Sequence, residues 1–111
     1  MNIPDRLYNL VHIPSPSTLD KYGLTEDEWI TIFEQQGWKC PICNKEPKTG
    51  SPVEFNIDHY HTPRWKKLTP AQRKTHVRGI CCQWCNRSYL AKGMTLEKAK
   101  NLVIYLGGKN E

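Results

Sequence analysis

No run in this 111-residue sequence approaches the roughly 18 consecutive apolar residues that span a bilayer. No basic-then-apolar leader pattern stands at its start either. Membrane insertion and visible secretion are thereby excluded, and the cytoplasm is the expected location. Internal repeats are absent, which excludes solenoids and arrays. Apolar residues are few, at 38% with a mean hydropathy of −0.68. Such a chain buries one modest core at most, so it benefits from an internal staple. Acid is missing where base is dense. Residues 59–96 hold eight Lys and Arg (Arg64, Lys66, Lys67, Arg73, Lys74, Arg78, Arg87 and Lys92) and no Asp or Glu, whereas residues 1–58 hold five against nine. Uncompensated cations repel one another unless a polyanion is their neighbour, and nucleic acid is the expected partner.

What cysteine there is comes mostly in pairs. Cys40 and Cys43, then Cys82 and Cys85, make two CxxC knuckles separated by 38 residues. In a reducing compartment such spacing points to metal rather than to disulfides. Two knuckles complete the tetrahedral four-sulfur shell that zinc prefers, so one structural zinc per chain is expected, with no open position for chemistry. A thioredoxin-like redox motif would need a single pair in a βαβ setting, which is absent. Cys81, next to Ile80, reads as a small buried apolar side chain.

Residues 1–17, with Pro4, Pro14 and Pro16, read as an irregular arm, and residues 18–111 as one α+β domain. Thr25 with Glu28 marks a capping box, and the following helix carries Trp29, Ile32, Phe33 and Gln36 on one stripe before Gly37 stops it. Val53, Phe55 and Ile57 alternate with Glu54, Asn56 and Asp58, the pattern of a half-buried strand. A polar, basic connector over residues 62–75 leads to a returning strand at Val77 to Ile80. A short helix is expected from about Cys85 to Lys92, ended by Gly93. Thr95 caps a last helix whose Leu96, Ala99, Leu102, Val103 and Leu106 share a face. Trp38 and Trp84 read as core, and His12 and His76 as loop residues.

Between the knuckles lies Ile57-Asp58-His59-Tyr60-His61, and directly after the last knuckle cysteine stands Asn86. Hydrolysis of a phosphodiester needs a divalent ion on the phosphate oxygens, a base for the attacking water and stabilisation of the leaving oxygen. Asp58 is a hard oxygen ligand suited to magnesium or manganese, and Asn86 adds a neutral carbonyl oxygen. His59, with an ordinary pKa near 6.5, is largely neutral at pH 7 and can accept a proton. Arg64, Trp65, Lys66, Lys67, Arg73, Lys74 and Arg78 are the expected nucleic-acid contacts, Trp65 either stacking on a base or anchoring to the surface.

The segments "YGLTEDEW…FEQQGWKCPIC", "IDHYH" and "VRGICCQWCN", spanning about Lys21 to Leu90, together resemble the recombination endonuclease VII family of phage nucleases. The order CxxC, DHxH, VRG, CxxCN is more specific than any one piece. The resemblance implies a zinc-stapled ββα-metal (His-Me finger) fold, with an N-terminal and a C-terminal helix, that cleaves double-stranded DNA. It also implies that Asp58 and Asn86 hold the catalytic ion, His59 is the general base, and His61 is a second active-site histidine near the scissile phosphate or its leaving group. Cys40, Cys43, Cys82 and Cys85 would hold zinc. The sequence departs from the pattern in its long basic connector and at Tyr89, where the junction-resolving member carries an acid. It also has only 25 residues after Asn86, where the resolvase builds a dimer from a long helical half. Nuclease chemistry is therefore expected to carry over and junction resolution is not. A homodimer stays open. The rivals are a Holliday-junction resolvase and a non-enzymatic zinc module that binds nucleic acid without needing Asp58, His59 and Asn86 together.

Overall fold

Helices begin where short polar side chains meet the first unpaired N–H groups of the chain. The computed structural model describes residues 3–50, 53–91 and 93–108. Ser15 accepts from the Thr18 N–H, and Pro16 sits in the first turn, where a missing N–H costs nothing, so α1 runs Pro16–Lys21. Thr25 and Glu28 cap α2, Glu26–Gln35, reciprocally, as its sequence predicts. The apolar stripe of α2 turns slightly from the expected one: Trp29, Ile30 and Phe33 are buried, and Ile32 is only partly so.

The arm is not structureless. A 3₁₀ turn spans Asp5–Leu7, Leu7 is 2% exposed in the main core, and Ile3, Leu10, Val11 and Ile13 pack against that core. Phe33 is the centre of an aromatic group, with ring centroids 5.4 Å from Trp29, 5.8 Å from Trp38 and 4.9 Å from Phe55. Ile57 and Ile80 close this core from the sheet side.

The sheet has two antiparallel strands, β1 (Phe55–His59) and β2 (Val77–Cys82), with Phe55 opposite Cys82 and Ile57 opposite Ile80. Gln36, from the end of α2, docks on β2 like a short third strand. Its side-chain oxygen accepts from the Ile80 N–H at 2.8 Å and its NH₂ donates to the Ile80 carbonyl at 2.7 Å. That contact explains Gly79, because a Cβ there would lie 2.7 Å from the Gln36 side-chain oxygen. Between the strands the connector carries structure that its polarity conceals. A tight turn spans Trp65–Lys67, and α3, Pro70–Lys74, starts under a second capping box made by Thr69 and Gln72. The turn after α1 accepts α3 closely: Gly23 has φ +68°, and a Cβ on it would meet the Pro70 carbonyl oxygen at 2.3 Å.

After β2 the chain enters α4, Gln83–Cys85, whose first turn is capped by the Cys82 sulfur. It widens into a π turn over Asn86–Leu90, closed by the Ala91 N–H on the Asn86 carbonyl at 3.0 Å. This helical stretch thus opens two residues before Cys85. Lys92, its expected end, lies outside the described residues. The last helix, α5, Leu96–Tyr105, is capped by Thr95 as predicted. Its expected core face is not buried: Leu96, Leu102, Val103 and Leu106 are exposed, and Ala99 alone of the five is half-buried. Trp84 likewise departs from the expectation. It is 55% exposed, edge-on to Tyr89 and under the Lys45 ammonium, whereas Trp38 is buried as expected.

A second, smaller core consists of Cys40, Cys81, Cys82 and Cys85, flanked by Cys43, Val53, Phe55 and Leu90. The sulfurs of Cys40, Cys43, Cys82 and Cys85 all lie within 4.8 Å of one another, with Cys43 and Cys82 at 3.6 Å. A tetrahedron with zinc–sulfur bonds of about 2.3 Å has edges of about 3.8 Å, so the cluster has the dimensions of a zinc shell. The first knuckle is closed by the Cys40 N–H on the Lys45 carbonyl and the Asn44 N–H on the Cys40 carbonyl, both at 2.9 Å. Burial opposes ionisation of Cys40, yet backbone hydrogen bonds from Cys43, Cys82 and Ile42 bring its pKa down to about 7. Burial pushes the Cys82 and Cys85 thiols up, so a bound cation is needed for all four to be thiolates at once. Cys81 stands outside the shell, and burial holds it up at about 12, as an inert apolar side chain.

Structural zinc contributes about 10–16 kcal/mol in small zinc-bound peptides, as much as the whole stability of a typical domain. One zinc per chain is therefore expected by metal mass spectrometry. Cys82→Ser should lose it and unfold or aggregate, whereas Cys81→Ala should keep the metal. Folded wild-type protein with a zinc stoichiometry near zero would exclude the staple.

Candidate active site

The end of β1 is irregular, and that irregularity shapes the site. Asp58 pairs with Gly79, but His59 pairs with Val77, so Arg78 has no counterpart on β1. One extra residue in one strand is a β-bulge, which bends the strand and re-aims side chains beside it. The ladder continues past the bulge, the Tyr60 N–H donating to the His76 carbonyl at 2.8 Å. The two faces of the strand therefore do not simply alternate here. Ile57 and Asp58 are both buried, one in the core and the other at the edge of a cleft.

That cleft, of about 500 Å³, is lined by Asp58, His59 and His61 from the β1 end, by Asn86 from the π turn and by Tyr22 from the end of α1. All four residues expected to carry chemistry thus line a single cavity. Part of its wall was not anticipated: His12, Ile13 and Pro14 of the arm, with Thr18 of α1, line it beside residues of β1 and Ala91. The only sequence signal for this was the Ser15-Pro16 helix start, which turns the arm back across the sheet.

Asp58 is 4% exposed, and both its oxygens are engaged by Arg78, Nε donating to Oδ2 at 2.8 Å and Nη2 to Oδ1 at 3.1 Å. A buried carboxylate without such a partner would be costly, and the bidentate fork is the strongest pairing a side chain offers. Arg78 lies in addition 4.9 Å over the Tyr60 ring.

His59 is held in a stack. Its ring lies 3.8 Å from that of Trp65, at an interplanar angle of 17°, and 5.1 Å from that of His61, at 14°. Tyr22 tilts against both His59 and Trp65, at 5.8 and 5.7 Å. Burial, followed by the charge of His61, holds His59 below the usual histidine range, with Asp58 opposing. No hydrogen bond among the described residues engages its Nδ1, which is enclosed.

The seven expected nucleic-acid contacts divide into two groups. Arg73 donates to the carbonyls of Trp65, Lys21 and Lys66 at 3.2, 3.3 and 3.4 Å, and its guanidinium lies 5.2 Å from the Trp65 ring. Lys74 pairs with Glu28 across to α2, and Arg78 with Asp58. Trp65 itself is half-buried against His59 rather than presented to solvent. Arg64, Lys66 and Lys67 are exposed and have no acidic partner among the described residues. His76, read as a loop residue, ends the connector half-buried and edge-on to Trp65 at 6.3 Å.

No helix among the described residues is long and apolar enough to cross a membrane. The gene 59 protein of Mycobacterium phage L5 is 33% identical over 89 residues, covering 79% of this chain and 46% of its own length. The gene 59 protein of Mycobacterium phage D29 is 32% identical over 72 residues, covering 65% of this chain and 36% of its own. The chain thus matches less than half the length of either phage relative. No solved structure matches it at a significant level. The pattern of the recombination endonuclease VII family covers residues 16–107, which take in both cysteine knuckles, the cleft residues Asp58, His59, His61 and Asn86, and α5, and the chain belongs to that family.

Proposed function

We propose that the chain is a divalent-metal-dependent DNA endonuclease of the HNH, or His-Me finger, type, hydrolysing one phosphodiester bond per catalytic event. The observation that carries this reading is the convergence of Asp58, His59, His61 and Asn86, from two separate segments, on one cleft. On this reading β1, β2 and the helical turn from Gln83 are the two strands and helix of a ββα-metal unit. Asp58 and Asn86 would hold magnesium or manganese, a charged and a neutral oxygen donor of the kind such hard ions take. When bound, the ion neutralises charge on the phosphate and on the leaving oxygen.

His59 takes a proton from the attacking water as the new phosphorus–oxygen bond forms and the bond to the leaving oxygen breaks. Burial and the charge of His61 lower its pKa, which favours the neutral imidazole, the form that can accept a proton, at neutral pH. His61, stacked on His59, faces the same cleft and is assigned to the scissile phosphate or its leaving group. Trp65 fixes the plane of the base, and Arg73, pinned by three carbonyls, backs Trp65. Double-stranded DNA would reach the cleft along the exposed Arg64, Lys66 and Lys67.

The deciding experiment is cleavage of supercoiled plasmid with and without magnesium. His59→Ala should lower the rate about 10²–10⁴-fold while zinc content, fold and DNA binding hold. Asp58→Ala should be as inactive, with partial recovery in manganese that His59→Ala does not show. Cutting by His59→Ala at the wild-type rate would remove the base assignment. Wild-type protein that binds DNA but cuts it with no divalent ion would make the chain a non-enzymatic zinc module.

DNA affinity gives an independent check. Replacing Arg64, Lys66 and Lys67 together by Ala should flatten the dependence of log K on log salt by about one unit per lost phosphate contact. Lys74→Ala, which removes a cation already paired with Glu28, should change the slope little. An unchanged slope in the triple variant would route the DNA elsewhere.

Trp65 separates two roles cleanly. As a wall for His59, Trp65→Ala should lower kcat about 10²-fold with DNA affinity held, and Trp65→Phe should restore most of it. Loss of affinity at constant kcat would make Trp65 a DNA contact instead.

A further inference from the structure

We propose that Arg78 is the resident counter-cation of the metal carboxylate, engaging Asp58 while no divalent ion is bound and transferring to the substrate phosphate when one is. This rests on the reading of Asp58 as a metal ligand and adds to it a residue that changes partners.

Three features of the chain point to the exchange. The first is placement. Arg78 is the unpaired residue of the bulge, and the bulge directs a guanidinium onto a carboxylate one position away in the ladder. Without it, residue 78 would lie opposite His59. The second is occupancy. The fork engages both oxygens of Asp58, at 2.8 and 3.1 Å, on a carboxylate only 4% exposed. A small divalent ion keeps a near-octahedral shell with several waters and needs room at those oxygens. It would also have to sit within a few ångströms of a fixed positive charge, where repulsion at a low effective dielectric is substantial. The guanidinium and the ion compete for one carboxylate.

The third is a destination. The Arg78 side chain is 31% exposed, and its guanidinium already lies 4.9 Å over the exposed ring of Tyr60. A cavity of about 270 Å³ lined by Tyr60, His61 and Arg78 adjoins the main cleft, with His61 lining both. A guanidinium leaving Asp58 can stay over Tyr60 and present its two parallel N–H donors beside His61. That fork matches two phosphate oxygens as well as it matches two carboxylate oxygens.

The test is calorimetric titration of manganese into the zinc-loaded full chain, without DNA and at slightly alkaline pH. Wild type, Arg78→Met, Arg78→Lys and Asp58→Asn are compared, and circular dichroism and zinc content establish that each is folded. Arg78→Met removes the competitor and leaves a buried carboxylate in want of a cation. It should bind manganese at least about ten-fold more tightly than wild type, within the usual range of site-to-site coupling. Arg78→Lys keeps the charge but not the fork and should fall between, so it carries the test if the Met variant does not fold. Equal or weaker binding by the folded Arg78 variants would overturn the proposal and make the arginine a brace for Asp58, leaving the nuclease reading intact. If neither wild type nor Arg78→Met binds manganese, or if Asp58→Asn binds it as tightly as wild type, the metal site itself is wrong and both readings fall.

Discussion

Two knuckles 38 residues apart in the chain are held with their four sulfurs within 4.8 Å, and most of the remaining geometry follows from that closure. The first knuckle follows α2, so it fixes α2 against the sheet. The second ends β2 and opens the helical turn that begins with Asn86 one residue later. The loop between them contains β1, and pairing β1 with β2 brings Asp58 and His59 to the side of the sheet that Asn86 faces. Gln36, bound to both backbone groups of Ile80, fixes β2 at the same level from the α2 side. The site therefore stands on rigid elements tied at one point. A main core with nine buried residues among those described would hold such a geometry poorly alone.

Much of this was legible in the residues, and what was not has definite causes. Cysteine spacing, the Thr25–Glu28 box and the alternation around Phe55 and Ile57 are local signals, read within a few residues, and the corresponding elements stand where expected. The Ser15-Pro16 start of α1 and the Thr69–Gln72 box of α3 are equally local, but prolines and polar composition made both segments look irregular. Burial was harder to read. The periodicity of α5 is that of a packed helix, yet Leu106 is 79% exposed, because periodicity records which residues share a face and not whether anything covers it. Trp84 lies beside a knuckle and still points outward. The partners of Arg78 and Trp65 could not be read at all. The first joins residues on different strands and depends on a bulge that leaves no local pattern, and the second depends on how the connector turns back over the end of β1.

The acid-free stretch illustrates the same limit in electrostatic terms. Eight cations in a row of 38 residues suggest one uniform basic face. The fold instead assigns Arg73 to backbone carbonyls, Lys74 to an acid on α2 and Arg78 to an acid on β1. Among the described residues, Arg64, Lys66, Lys67 and Arg87 remain exposed without an acidic partner, the first three of them clustered a few residues after His61. That concentration fits a substrate tracked past the cleft better than one spread over the whole surface, since exposed charges more than about 10 Å apart are largely screened from one another at ordinary salt. Lys74 and Glu28, both well exposed, add little to stability. Arg73 contributes chiefly by backing the Trp65 ring that the His59 imidazole lies against.

Asp58 concentrates a conflict between folding and chemistry. A carboxylate this buried must have a cation, or the folded state bears a penalty of several kcal/mol. Among the described residues Arg78 is the one cation in an ion pair with it, and the bulge that brings Arg78 there is built into the sheet. If Asp58 holds the ion as proposed, the same pairing lowers affinity for it, since the interaction holding the arginine must be exceeded by whatever replaces it. Function-bearing sites commonly accept such a trade of affinity for integrity. On the proposed exchange, the exposed flank of Arg78 over Tyr60 makes the trade reversible, because the guanidinium would leave Asp58 without being driven through the core.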